Sequence, residues 1–139
     1  MTTRLRNERG AALLETAITL PIILLVSVGI FEFGRAYQVK QVLTNAVREG
    51  ARVAVLPSYT DAQVKTVVRT YLTDGGLTAV DPVIDGAVAI PPGTGSRVTV
   101  NYPFSFMVLN PVARLATPAS TLGRGVLNMQ ASALMRNEQ

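Results

Sequence analysis

From Ala11 to Phe31 the chain is almost wholly apolar, and Glu15, Thr16, Thr19 and Ser27 are its only polar side chains. About twenty residues at 1.5 Å per helical residue span roughly 30 Å, the thickness of a bilayer core. A core helix of a small soluble domain is amphipathic and rarely stays apolar on every face for that distance, so the run reads as a membrane segment. Ahead of it, Arg4, Arg6 and Arg9 stand against the single acid Glu8. That bias puts the N-terminus in the cytoplasm and the rest of the chain outside, and Arg35 and Lys40 beyond the run weaken the contrast without reversing it. A cleaved secretory signal would need small residues at both key positions after the run, and "GIFEFGRAYQVK" lacks them. A cut before the run, at Gly10, stays open.

Beyond Phe31 the three- and four-residue spacing continues through Ala36, Val39, Leu43, Ala46, Val47, Gly50, Val53 and Ala54, with Arg35, Lys40, Arg48, Glu49 and Arg52 largely on other faces. The pattern predicts one helix over residues 11–55, greasy all round in its first half and amphipathic in its second. Pro21 is expected to bend it, since proline removes a backbone donor. Pro57 and Ser58 end the pattern. Thr60 and Gln63, in capping-box spacing, open a short second helix with Val64, Val67, Val68, Tyr71 and Leu72 on one face, closed by "TDGG". The period then drops to two. A weak, broken strand is expected over Val80–Ile90, a turn at "PPGTGS", and a clear strand over "RVTVNYPFSF", where Val98, Val100, Tyr102, Phe104 and Phe106 alternate. Pro103 marks that strand as an edge or a bulge. A loop containing Pro111 and Pro118 follows. A last strand carries Leu127, Met129, Ala131, Ala133 and Met135 on one side. The expected fold is α+β, a long N-terminal helix packed on a small antiparallel sheet. It divides into a basic stub (1–10), a transmembrane helix (11–33), its amphipathic continuation (34–56) and an extracytoplasmic head (57–139).

The residue inventory excludes much chemistry. The chain has neither cysteine nor histidine, which removes disulfides, thiolate sites, the commonest general base and the commonest metal ligand. Its serines and threonines have no evident base, so no catalytic site and no cofactor are expected. Asp74, Asp81 and Asp85 are too sparse for calcium and read as solvated turn carboxylates. Residues 1–10 hold three arginines and one glutamate, so the formal net charge of +4 falls to +2 without them. The basic balance therefore bears on topology and argues against a nucleic-acid partner, and Tyr102, Phe104 and Phe106 read as core.

Glu15 is the exception inside the apolar run. A carboxylate in hydrocarbon is costly unless paired. If the chain is cut after Gly10, Ala11 gains a charged amino group, and Glu15 lies four residues on, about 6 Å along the axis. A neighbouring helix displaced by about one turn would bring its ammonium to this carboxylate and set the axial register of a filament. Alternatively, Glu15 lies shallow and snorkels to the interface. Glu32 and Arg35, and again Glu49 and Arg52, stand three apart, suited to local ion pairs or to contacts with another subunit. Gly34 and Gly50 are poor helix formers, and their placement suggests close approach of another backbone, for Gly50 that of this chain's own sheet.

"ERGAALLE" resembles the cleavage region of type IV prepilins, and "GIFEFGRAYQVKQVLTNAVREGARVAV" is similar to the signature of TadE-like proteins, the pseudopilins or minor pilins of tight-adherence (Tad/Flp) pili. "VTVNYPFSF" and "ASALMRNE" resemble the ends of that family. Where many relatives carry Tyr or Phe after the glutamate, this chain has Thr16. The resemblance implies a pilin-like fold and cutting after Gly10 by a membrane aspartyl prepilin peptidase. It makes Ala11 the new terminus and Glu15 the register residue. The implied partners are the peptidase, other pilins and minor pilins, an inner-membrane assembly platform and membrane lipid. The implied setting is the bacterial inner membrane, with assembly into a surface pilus and a part in attachment. An unprocessed accessory protein of the secretion machinery and a DNA-binding minor pilin are the other two readings.

Overall fold

The computed structural model describes residues 3–78, 80–85, 95–116 and 126–136. The order of elements is α1 (Thr3–Ala54), α2 (Asp61–Asp74), β1 (Val83–Asp85), β2 (Gly95–Phe104), α3 (Leu109–Ala116) and β3 (Leu127–Arg136). The α+β class expected from the sequence is therefore what the chain adopts. Its described residues fall into two compact units, one drawn from residues 1–34 and 106–123, the other from 35–105 and 124–139.

In the first unit, α1 runs unbroken through Pro21. It starts at Thr3 rather than at residue 11, because "TRLRNERG" contains no helix breaker stronger than one glycine. From residue 10 to residue 26 every side chain is exposed. This is the one helix among the described residues long and apolar enough to cross a membrane. Its most apolar 18-residue window has a mean hydropathy of 2.2 and buries none of its residues within the chain. A core helix of a soluble protein would be mostly covered. The expected loop around Pro111 is instead the short helix α3. Pro111 is its third residue, where the backbone N–H would have no partner inside the helix, so proline is tolerated there. Pro118 lies outside the described residues.

In the second unit, the amphipathic half of α1 buries Val39, Leu43, Ala46, Val47, Ala51, Val53 and Ala54. They meet Val64, Val68 and Leu72 of α2 and Val98, Val100, Phe104 and Ala131 of the sheet in one core. The capping box forms as its spacing requires: Gln63 N–H donates to Thr60 Oγ1 and Thr60 N–H to Gln63 Oε1 at 2.9 Å. At the other end Gly76 takes φ +76°, a conformation glycine adopts without a Cβ clash. Leu77 N–H then closes on Leu72 O at 2.9 Å, which caps the helix.

The sheet has three antiparallel strands in the order β1-β2-β3. The register sets Val98 against Ala133, Val100 against Ala131 and Tyr102 against Met129, so the predicted alternating faces of β2 and β3 coincide. β2 ends at Phe104, and Phe106 falls beyond the strand on which the alternation had placed it. β2 is central in the sheet, yet β1 pairs only with Arg97–Thr99. At Pro103 one side of β2 therefore has no described neighbour, and the missing N–H removes no bond to β1. β1 itself is three residues long; the rest of the expected strand to Ile90, and most of "PPGTGS", lie outside the described residues.

Candidate functional site

The four polar side chains of the apolar run do not share one fate. Thr16 Oγ1 donates to Ala12 O at 2.9 Å, Thr19 Oγ1 to Glu15 O at 2.8 Å, and Ser27 Oγ to Ile23 O at 2.8 Å. Each hydroxyl thus discharges its donor onto the carbonyl one turn back, the usual solution where no water is at hand. Glu15 has no such option, since a carboxylate only accepts and every nearby backbone N–H is engaged in the helix. It is exposed, and among the described residues no hydrogen bond or ion pair reaches its carboxylate. Gly10 and Ala11 are exposed on the same helix. The arginines of the stub carry side chains outside the described residues.

At the far end of the same unit Glu32 finds its partner within the chain. It is only 5% exposed, and its Oε1 accepts the Val108 N–H at 2.7 Å. Val108 immediately precedes α3, so the carboxylate sits at the positive end of that helix's dipole. One residue on, the Phe33 ring meets Phe106 edge to face, with centroids 5.8 Å apart. Glu32 and Phe33 together hold the start of α3. Nothing in the alternation of "NYPFSF" signals this, because Phe106 has left the strand.

In the second unit Arg35 donates to Ser105 O and lies over the Phe104 ring, its guanidinium carbon 4.5 Å from the centroid. Lys40 similarly donates to Gln130 O. Glu49 and Arg52 make the expected local pair, with Nη2 to Oε1 at 2.5 Å and Nε to Oε2 at 2.9 Å. The Arg52 hydrogen bond, with its charge, holds the Glu49 carboxyl below its ordinary value against a smaller opposing effect of burial, and Glu49 raises Arg52 in turn. Arg48 is exposed. Asp81 pairs with Arg69, Nε to Oδ1 at 2.7 Å, a contact the twelve-residue separation hid from the sequence. Among the described residues no group of three or more acids is placed to hold a metal ion.

The two glycines differ. A Cβ built on Gly50 would overlap Val68 Cγ2 and stand 3.3 Å from Val98 Cγ1, so α2 and β2 both close on this point of α1. The neighbour expected from the sequence was the sheet; α2 comes nearer. At Gly34 nothing lies within 4 Å.

Among the described residues, one apolar helix of membrane-spanning length, continued as an amphipathic helix under a small antiparallel sheet, defines an α+β protein compatible with membrane anchoring. Residues 10–52 match the family model described as TadE-like protein, so the chain carries the TadE-like segment that "EFGRA" and "REGAR" suggested. The match covers the long helix and ends before α2; the likeness read in "VTVNYPFSF" and "ASALMRNE" lies beyond it. Comparison with curated proteins and with solved structures finds no match.

Proposed function

We propose that the chain is a minor pilin of a Tad-type pilus, made as a membrane-anchored precursor and cut after Gly10 by a prepilin peptidase. Ala11 then carries a free ammonium group. Glu15 accepts that charge from the neighbouring subunit's helix, which sets the axial register of the assembly. The observation that carries this reading is the contrast within the span: three hydroxyls are satisfied inside their own helix, and the carboxylate is left exposed. The TadE-like match, which begins at residue 10, supports it.

On this reading the N-terminus is cytoplasmic, the head extracytoplasmic and the setting the bacterial inner membrane, as the basic stub suggests. Other pilins and the assembly platform meet the helix; the head serves partner contacts and surface attachment. No step requires an enzyme activity, a cofactor or nucleic acid.

Intact-mass measurement of the membrane-extracted protein tests the cut, and Glu15→Gln tests the pairing. The expected result is a mature chain beginning at Ala11 and loss of Glu15→Gln from sheared pili. An intact leader in the wild type would instead mark a permanently anchored accessory protein. Unchanged incorporation of Glu15→Gln would remove the electrostatic argument.

A further inference from the structure

α3 is amphipathic the wrong way round for a helix meeting water. Leu109, Asn110 and Ala113 are half-buried, while Val108, Val112 and Leu115, spaced four and three apart on one face, are exposed. Leu115 is 85% exposed, and Met107, just before the helix, 72%. Such a face needs a cover. Its neighbours in the same unit indicate which one. Glu32 and Phe33 fasten the start of α3 to α1 immediately after the apolar run. The adjoining Ile30 and Phe31 are themselves exposed. The N-terminal end of α3, with its exposed apolar residues, thereby lies beside the end of the spanning run of α1.

We propose that Met107–Leu115 lies in the headgroup layer of the bilayer that α1 crosses, with Val108, Val112 and Leu115 in the acyl boundary. This rests on the reading of residues 11–33 as a membrane span. An eight-residue helix binds lipid weakly alone. Tethered to a spanning helix, it meets the surface at high effective concentration. The arrangement fixes the depth of α1 and its rotation about its own axis, since one side of the helix then carries a foot.

The chain contains no tryptophan, so single reporters are free of background. Full-length Leu115→Trp and Val112→Trp are reconstituted in phosphatidylethanolamine–phosphatidylglycerol vesicles containing lipids brominated at shallow or deep acyl positions. Ile23→Trp reports the span, and Thr66→Trp the exposed polar face of α2. Both α3 reporters should be blue-shifted and lose about half their emission to shallow bromines, as an interfacial helix buried roughly 5–10 Å requires. Ile23→Trp should respond to deep bromines. If the α3 reporters match Thr66→Trp while Ile23→Trp is quenched, the span stands and the interfacial foot is refuted. A blue shift that grows with protein concentration without lipid quenching would assign the face to a second copy and also overturn the proposal. An unquenched Ile23→Trp would refute the membrane reading and the foot together.

Discussion

Gly50→Ala sets two known effects against each other at one atom. In an exposed helix interior, replacing glycine by alanine stabilises by about 1 kcal/mol. At Gly50 the added methyl overlaps Val68 Cγ2 and presses on Val98 Cγ1 at 3.3 Å. Both valines are fully buried. Val68 sits in α2, where a β-branched side chain is almost confined to one χ1 rotamer, so it cannot swing clear. Relief requires α2 to move away from α1, and overpacking of this kind costs about 1–3 kcal/mol. Because even the nearest atom must shift, the steric effect should exceed the helix gain, for a net loss of up to about 2 kcal/mol.

The assay is urea unfolding of the full chain in detergent, read by pulse proteolysis of the head. With a urea dependence of about 1–3 kcal/mol per molar, a loss near 2 kcal/mol should lower the midpoint by roughly 0.7–2 M. Two companions make the reasoning refutable. Gly34→Ala, with nothing within 4 Å of the new methyl, should leave the midpoint unchanged or raise it. Val68→Ala should make room for the alanine, so that Gly50→Ala combined with it costs less than the sum by about 1 kcal/mol. If Gly50→Ala is as well tolerated as Gly34→Ala, or the double variant is simply additive, α2 does not close on Gly50 as described.

Ser96 is fully buried beside Val98, and its Oγ has no hydrogen-bond partner among the described residues. Ser96→Ala should therefore raise the urea midpoint or leave it unchanged, a buried unpaired hydroxyl costing about 1–3 kcal/mol; a clear loss would reveal a partner. Glu32→Gln keeps an acceptor for the Val108 N–H but loses the charge at the α3 N-terminus, worth about 1 kcal/mol. Amide exchange over residues 109–116 should accelerate by about fivefold, with Glu32→Ala accelerating it further. The folded Glu49 carboxyl is depressed by Arg52. Its contribution is thus present above the unfolded carboxylate value of about 4.3 and is lost as pH falls through the lower folded value. The small difference in midpoint between wild type and Glu49→Gln at pH 7 should close on acidification, and a difference that persisted at low pH would need another cause.

Where one physical effect dominates, the residues are enough to read the structure. The stripe from Val39 to Ala54, the capping box at Thr60 and the alternating strands around Val100 and Ala131 each follow from a period or a local bond, and each forms. Glu49 and Arg52 were legible for the same reason, being three residues apart on one helix. Contacts set by chain path were not legible. The partner of Arg69 is twelve residues away, and that of Lys40 ninety. Phe106 continues the alternation of β2 in sequence, but the strand stops at Phe104 and the ring goes to Phe33 instead. Pro111 suggested a loop because proline breaks helices. It breaks them only past the first turn, and here it stands inside that turn.

The two acids of the first unit show why the candidate site is Glu15 rather than Glu32. Both sit in or beside an apolar run, and either would be costly there if charged and unpaired. Glu32 is solved in cis: the chain returns through Phe106 and offers the first free N–H of a new helix, which the carboxylate accepts while almost completely buried. That bond is made when the protein folds, so it specifies how the chain is arranged and nothing about a neighbour. Glu15 has no returning segment among the described residues, and its helix has no spare donor at that level. With no compensating group among the described residues, two compensators differ in what they predict: water at a shallow interface, or a cation on another molecule. Water would place no constraint on the side chain beyond its depth, so Glu15→Gln would be silent. A cation in trans would make the carboxylate a condition of assembly, and the same substitution would leave folding and membrane insertion intact while abolishing incorporation.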